Sequence, residues 1–167
     1  PTRAASPSGE AHRRFEGWIR SAAPGALVVR TGLVCDPEDP EDPLARVLAA
    51  LAGEGPSVCM PDDEIVSASV LPQLLDATLD LLVDGERGLW HGTHSGTCSL
   101  HELVLRAARH AGVPTGRLAR GRSPRAWGLE LGPGTRAITS ERAWPLPALD
   151  VALAGYAALA GRIAATE

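Results

Sequence analysis

Lysine is absent from these 167 residues, and tyrosine occurs once, at Tyr156. Chemistry that needs a lysine amine is thereby excluded within the chain. Cysteine is scarce as well: Cys35, Cys59 and Cys98 are an odd, widely spaced set without a Cys-x-x-Cys pair. Neither a disulfide framework nor a zinc ribbon follows from them, and buried thiols in a reducing compartment are expected. No apolar run reaches the length of a membrane span, and the opening Pro-Thr-Arg-Ala-Ala-Ser-Pro has no apolar segment like that of a signal peptide. The expectation is a cytoplasmic protein with no membrane partner. A net charge of −4 argues against a backbone-driven nucleic-acid binder. What remains is a chain that is 44% hydrophobic and long enough for one globular region spanning 1–167.

Along the chain, apolar and turn-forming residues alternate in blocks. Ser8 to Ser21 reads as a helix with Phe15, Trp18 and Ile19 on its apolar face, ended by Pro24-Gly25. Ala26-Leu-Val-Val29 reads as a strand buried on both faces of a parallel sheet. Residues 36–43, Asp-Pro-Glu-Asp-Pro-Glu-Asp-Pro, are expected to form an acidic, solvated loop, because repeated proline removes donors and disfavours helix. Leu44, Val47, Leu48 and Leu51 predict an amphipathic helix closed by Gly53, followed by a short strand over 57–60 and a loop over 61–64. A further helix is predicted over 70–83 with Leu71, Leu74, Leu75, Thr78, Leu79 and Leu82 inward. Gly88-Leu-Trp-His91 reads as a strand. Ser99 and Glu102 predict a capping box opening a helix that runs to His110. Residues 113–135 are rich in Gly, Pro and Arg and read as irregular, and the last helix begins near Leu146 and carries Leu149, Leu153 and Tyr156. Strands alternating with helices give an α/β class, although three short strands make a poor independent sheet.

Four stretches in this order resemble the extended short-chain dehydrogenase/reductase superfamily, and within it the dTDP-4-dehydrorhamnose reductase family. Val28-Val-Arg30-Thr31-Gly32-Leu33-Val34 is similar to that family's Arg-Thr-Ser-Trp-Val-Tyr strand end. Asp62-Asp-Glu64-Ile-Val-Ser67-Ala-Ser69 resembles its Asp-Gln-x-Gly-Ser-Pro-Thr loop. Gly88-Leu-Trp-His91 with Gly96-Thr-Cys-Ser-Leu-His-Glu102 resembles its Gly-Ile-Tyr-His strand and Gly-x-x-Ser-Trp-x-Glu helix start, and Arg136-Ala-Ile-Thr-Ser140 its late Arg-Pro-x-x-Ser segment. The resemblance implies a Rossmann-like α/β fold, made of the later strands and small carboxyl-terminal lobe of an extended short-chain dehydrogenase. It implies a sugar-nucleotide-binding module whose ligand is a nucleoside diphosphate sugar. Thr31, Gly32 and Leu33 would face the sugar, Glu64 would stand in the adjoining loop, and Arg136 would contact phosphate. Leu33 stands where the family has Trp, which weakens the specific rhamnose assignment.

The chain departs from the family in its chemistry. No Gly-rich turn between a strand and a helix is present to take a dinucleotide pyrophosphate. No cofactor is therefore expected in this chain, and NAD(P)H only where an upstream Rossmann half supplies its site. Counting back from Glu16 puts Ser8 and His12 at the positions of the superfamily's Tyr-x-x-x-Lys pair, and neither replaces a phenol or a permanent cation. No catalytic residue is assigned. The other reading is a degenerate structural or regulatory module of a larger, fused protein.

Two rival chemistries use the same residues. His91, His94, Cys98 and His101 have the ligand types for zinc but not the paired spacing of structural sites, so no metal is expected. Ser95 or Ser99 with His91 and Asp62 has the residue types of a hydrolase, but no Gly-x-Ser-x-Gly turn occurs and Ser99 is better used as a cap. The arginines from Arg117 to Arg125 are expected to be solvated.

Overall fold

A computed structural model describes residues 7–121, 134–136, 138 and 146–164, with 7, 8, 134–136 and 161–164 described in their backbone only. The elements run α1 (Pro7–Ala22), β1 (Leu27–Thr31), β2 (Leu33–Cys35), α2 (Pro43–Ala52), β3 (Val58–Met60), β4 (Glu64–Val66), β5 (Ala68–Val70), α3 (Leu71–Val83), β6 (Gly88–Gly92), β7 (Cys98–Ser99), α4 (Leu100–His110), β8 (Leu118–Arg120), β9 (Gly134–Arg136) and α5 (Leu149–Ala164). The α/β class holds. The strands form parallel pairs β1–β6, β2–β5 and β3–β8, and a three-stranded sheet in which β4 lies parallel to β9 and antiparallel to β7.

The main core gathers α2, α4 and α5 over the short strands. Leu44, Val47, Leu48 and Leu51 are all buried, as their spacing predicts, and meet Leu103, Val104, Leu149 and Leu153. Two of the three thiols, Cys35 and Cys98, are buried here as well. Burial pushes the Cys98 thiol up to about 11, so it is protonated and unreactive at neutral pH. A smaller cluster of Leu74, Ala77 and Leu146 packs α3 against Val29 and Val34. No helix among the described residues is long and apolar enough to cross a membrane.

Several sequence expectations are corrected. The 36–43 segment is not wholly solvated: Asp42 is 3% exposed. It caps α2, accepting from the Ala45 amide at 2.9 Å through Oδ2 and from the Asp36 amide at 3.0 Å through Oδ1, while Pro43 is already helical. Residues 113–135 are not uniformly irregular, since β8 lies within them and pairs with β3. Glu64 begins a strand rather than ending a loop. On α3 the buried positions are Leu74, Ala77 and Leu81, whereas Leu75, Leu79 and Leu82 are more than half exposed. On α1, Phe15 and Trp18 stack at 5.9 Å but lie open to solvent. Strand β1 is half-buried at all five residues, not buried on both faces, because β6 is its sole strand neighbour among the described residues. Ser99 caps α4 as expected, but Glu102 does not reach back to complete a capping box: its carboxylate pairs with Arg106.

Candidate functional site at the ends of two parallel strands

Strands β1 and β6 end side by side, with Thr31 opposite Gly92. The carboxyl ends of parallel strands are where open α/β sheets receive ligands, because loops diverge there and leave a crevice. Thr31 Oγ1 donates to Ser69 Oγ at 2.9 Å, and Ser69 Oγ donates to the Gly92 carbonyl at 2.9 Å. This relay fastens β1, β5 and β6 together at one point.

The next residue, Gly32, turns the chain against Ser67. A Cβ at this position would fall inside the Ser67 carbonyl oxygen and 2.9 Å from its carbon, so only glycine fits without movement. Leu33 then donates its amide to that same Ser67 carbonyl at 2.9 Å. The Ser67 hydroxyl faces elsewhere: it donates to the Ile138 carbonyl at 3.1 Å and accepts from the Ile138 amide at 2.9 Å. Thr93 Oγ1 reaches the same carbonyl at 3.3 Å. Arg136 closes β9 with its Cα opposite Val66, and Gly134 lies opposite Glu64, which is 3% exposed. Segment 64–69 therefore meets Thr31 at Ser69, Gly32 and Leu33 at Ser67, and the backbone of Arg136 at Val66, with Glu64 at its far end opposite Gly134. The Arg136 side chain and Ser140 lie outside the described residues.

A charged group flanks this corner. Arg30 and His91 are register partners on β1 and β6, and Arg30 donates from Nε and Nη2 to the Glu16 carboxylate at 2.7 and 2.5 Å. Those hydrogen bonds hold the Glu16 carboxyl below its ordinary range against the opposing effect of burial, and His12 and His91 pull the same way. The glutamate that anchors the α1 comparison thus meets the arginine of the strand motif. His12 is exposed on α1, and the Ser8 side chain lies outside the described residues. Tyr156 offers no phenol to this corner. It is fully buried in the main core and donates to Asp42 Oδ2 at 2.7 Å.

Several residues of the rival chemistries are engaged elsewhere. Among the described residues no three His, Cys, Asp or Glu side chains converge as a metal site would require. His94 is instead buried with Nδ1 3.1 Å from the Pro147 carbonyl, and Ser99 Oγ accepts the Glu102 amide. Arg117 is half-buried rather than freely solvated: its guanidinium donates to the carbonyls of Ala50, Gly53 and Pro56 and closes the end of α2. Arg122 and Arg125 lie outside the described residues. A separate open cleft of about 450 Å³ lies over Ile65 and the start of α4. Its rim charges are already matched, Asp62 with Arg120 and Glu102 with Arg106.

No protein-family model and no curated protein matches the sequence. Solved structures do match in three dimensions. A dTDP-4-dehydrorhamnose reductase from Clostridium acetobutylicum superposes with a TM-score of 0.79 at 15% identity, over 95% of this chain and 57% of that one. The fold is similar to part of the fold of that enzyme. The same enzyme from Yersinia enterocolitica gives a TM-score of 0.74 at 17% identity, over 91% of this chain and 56% of its own. A UDP-N-acetylglucosamine 4-epimerase from Methanobrevibacter ruminantium, solved with UDP-N-acetylmuramic acid, gives 0.67 at 10% identity, over 99% and 56%. The chain thus spans little more than half the length of these enzymes.

Sequence reasoning quoted Ser67 and Ser69 within the resembling loop but gave them no role at the site, and it missed Thr93. The Ser-x-Ser alternation was a further signal for the two serines, since residues two apart along an extended chain face one side.

Proposed function

We propose that this chain is the sugar-nucleotide-recognition half of a reductase-like or epimerase-like protein and does not catalyse by itself. The observation that carries this reading is the meeting of Thr31, Gly32, Leu33 and the Arg136 strand on the segment that Glu64 opens, beside the carboxyl ends of β1 and β6. The sugar lies against the Thr31 to Leu33 corner, and Arg136 supplies a forked donor to phosphate. The inactivity rests on residue types. No lysine exists in the chain, and the one phenol is committed to Asp42 in the core.

The reading includes a partner. A dinucleotide-binding half completes the protein and brings the NAD(P)H site, for which this chain has no Gly-rich turn. Its need is supported by a two-stranded parallel sheet, too small to be stable alone, and by the exposed Phe15, Trp18, Leu75, Leu79, Leu82 and Val83. Calorimetric titration of the chain with dTDP-glucose, UDP-N-acetylglucosamine and NADPH tests the reading. Saturable binding of a sugar nucleotide without binding of NADPH is expected. No binding of either sugar nucleotide, with the fold intact by circular dichroism, overturns it.

A further inference from the structure

We propose that Ser67 is a positioning residue of this site, setting the β9 segment that carries Arg136 against the Thr31 to Leu33 corner; this rests on the sugar-nucleotide reading above. Ser67 is fully buried, and its two oxygen atoms serve different parts of the chain. The carbonyl accepts Leu33 N at 2.9 Å and is the surface against which Gly32 lies. The hydroxyl holds both backbone groups of Ile138, at 2.9 and 3.1 Å. The β4–β9 ladder ends at Val66 and Arg136. One residue further on, the Ser67 side chain adds a lateral attachment of its own, to Ile138.

A hydroxyl suits this place because it donates and accepts at once, so one side chain satisfies an amide and a carbonyl of the same residue. Alanine removes both bonds. The Thr31 to Ser69 to Gly92 relay does not involve Ser67, so the ends of β1, β5 and β6 stay fastened when its hydroxyl is lost. The consequence is specific. Without the hydroxyl, the strand that meets the phosphate is held to the corner only by the β4–β9 ladder and the Thr93 contact, and a ligand touching both must pay for ordering what is loosened.

The experiment compares the wild-type chain with Ser67→Ala and Ser67→Thr by calorimetric titration with dTDP-glucose and UDP-N-acetylglucosamine. Thermal melting and hydrogen exchange at the Ile138 amide are measured alongside. Ser67→Ala is expected to weaken binding about tenfold, to speed exchange at Ile138, and to leave amides of β1 and β6 unchanged. Ser67→Thr, which keeps the hydroxyl, is expected to recover most of the affinity. Wild-type affinity in Ser67→Ala overturns the positioning role while leaving the sugar-nucleotide reading in place. So does a loss of affinity that follows a general loss of stability, with exchange accelerated throughout the chain. Failure of the wild-type chain to bind either probe overturns the functional reading first, and the positioning role with it.

Discussion

The Tyr156 hydroxyl donates to Asp42 Oδ2 across 2.7 Å inside the main core, joining α5 to the amino-terminal cap of α2. Burial, and then the carboxylate beside it, push the phenol well above its ordinary range, so it stays protonated and donates. Tyr156→Phe removes that donor while keeping the ring. A loss of about 1–3 kcal/mol is expected, the cost of leaving a buried acceptor short of a partner, measured by urea unfolding. Asp42→Ala should cost more, because the α2 cap is lost with it. Equal stability of Tyr156→Phe and wild type would show that water reaches Asp42 in solution.

Gly32 tests the geometry of the corner. Gly32→Ala drives a methyl into the Ser67 carbonyl, which is backbone and cannot rotate away. A destabilisation of about 1–3 kcal/mol is expected from the forced shift, read as a lowered melting temperature. Melting within one degree of wild type would mean that the Gly32 to Ser67 approach is looser than the structure has it.

His94 gives the fold a pH dependence. Burial lowers its pKa below the ordinary 6.5, against the opposing effect of the Pro147 carbonyl. The folded chain therefore holds the ring neutral while the unfolded chain takes up a proton. Stability should be full above about pH 6.5 and decline as the pH falls below it. His94→Gln cannot titrate, and its urea midpoint should change less between pH 7.5 and 5.5 than that of wild type. Parallel curves for the two proteins would assign the acid sensitivity to other groups.

For Arg136 the prediction concerns binding. Arg136→Lys keeps the charge and loses the fork, so sugar-nucleotide affinity should fall by about 1.5–3 kcal/mol, the scale of a hydrogen bond to a charged group. Unchanged affinity with altered stability would instead tie Arg136 to a structural ion pair.

Much of the fold was legible because its helices announce themselves. The spacing of Leu44, Val47, Leu48 and Leu51, and of Leu149, Leu153 and Tyr156, identified stripes that are in fact buried. Periodicity shows that a stripe exists but not what covers it, which is why Leu75, Leu79 and Phe15 were expected inside and are found outside. Strands β4, β5, β8 and β9 were not legible. Three residues carry no period, and their partners lie far along the chain. Asp42 hid among the acidic and proline residues of 36–43, where composition reads as solvent and only the cap and Tyr156 reveal a buried carboxylate. At the site, the family resemblance singled out Gly32, but the Ser67 carbonyl it lies against and the Ser67 hydroxyl that holds Ile138 needed coordinates.

The strand pairings have one more consequence, for how the chain reaches this structure. Among the described residues no strand pairs with its immediate neighbour in sequence: β1 waits for β6, β2 for β5, β3 for β8 and β4 for β7 and β9. These pairings include no hairpin to serve as a seed, and each must close a long loop before any ladder bond rewards it. As the polypeptide emerges from the ribosome, Leu27 to Thr31 is an apolar strand without its edge partner until Gly88 to Gly92 has been made. That interval leaves an unpaired strand edge exposed, the kind of surface on which chains aggregate.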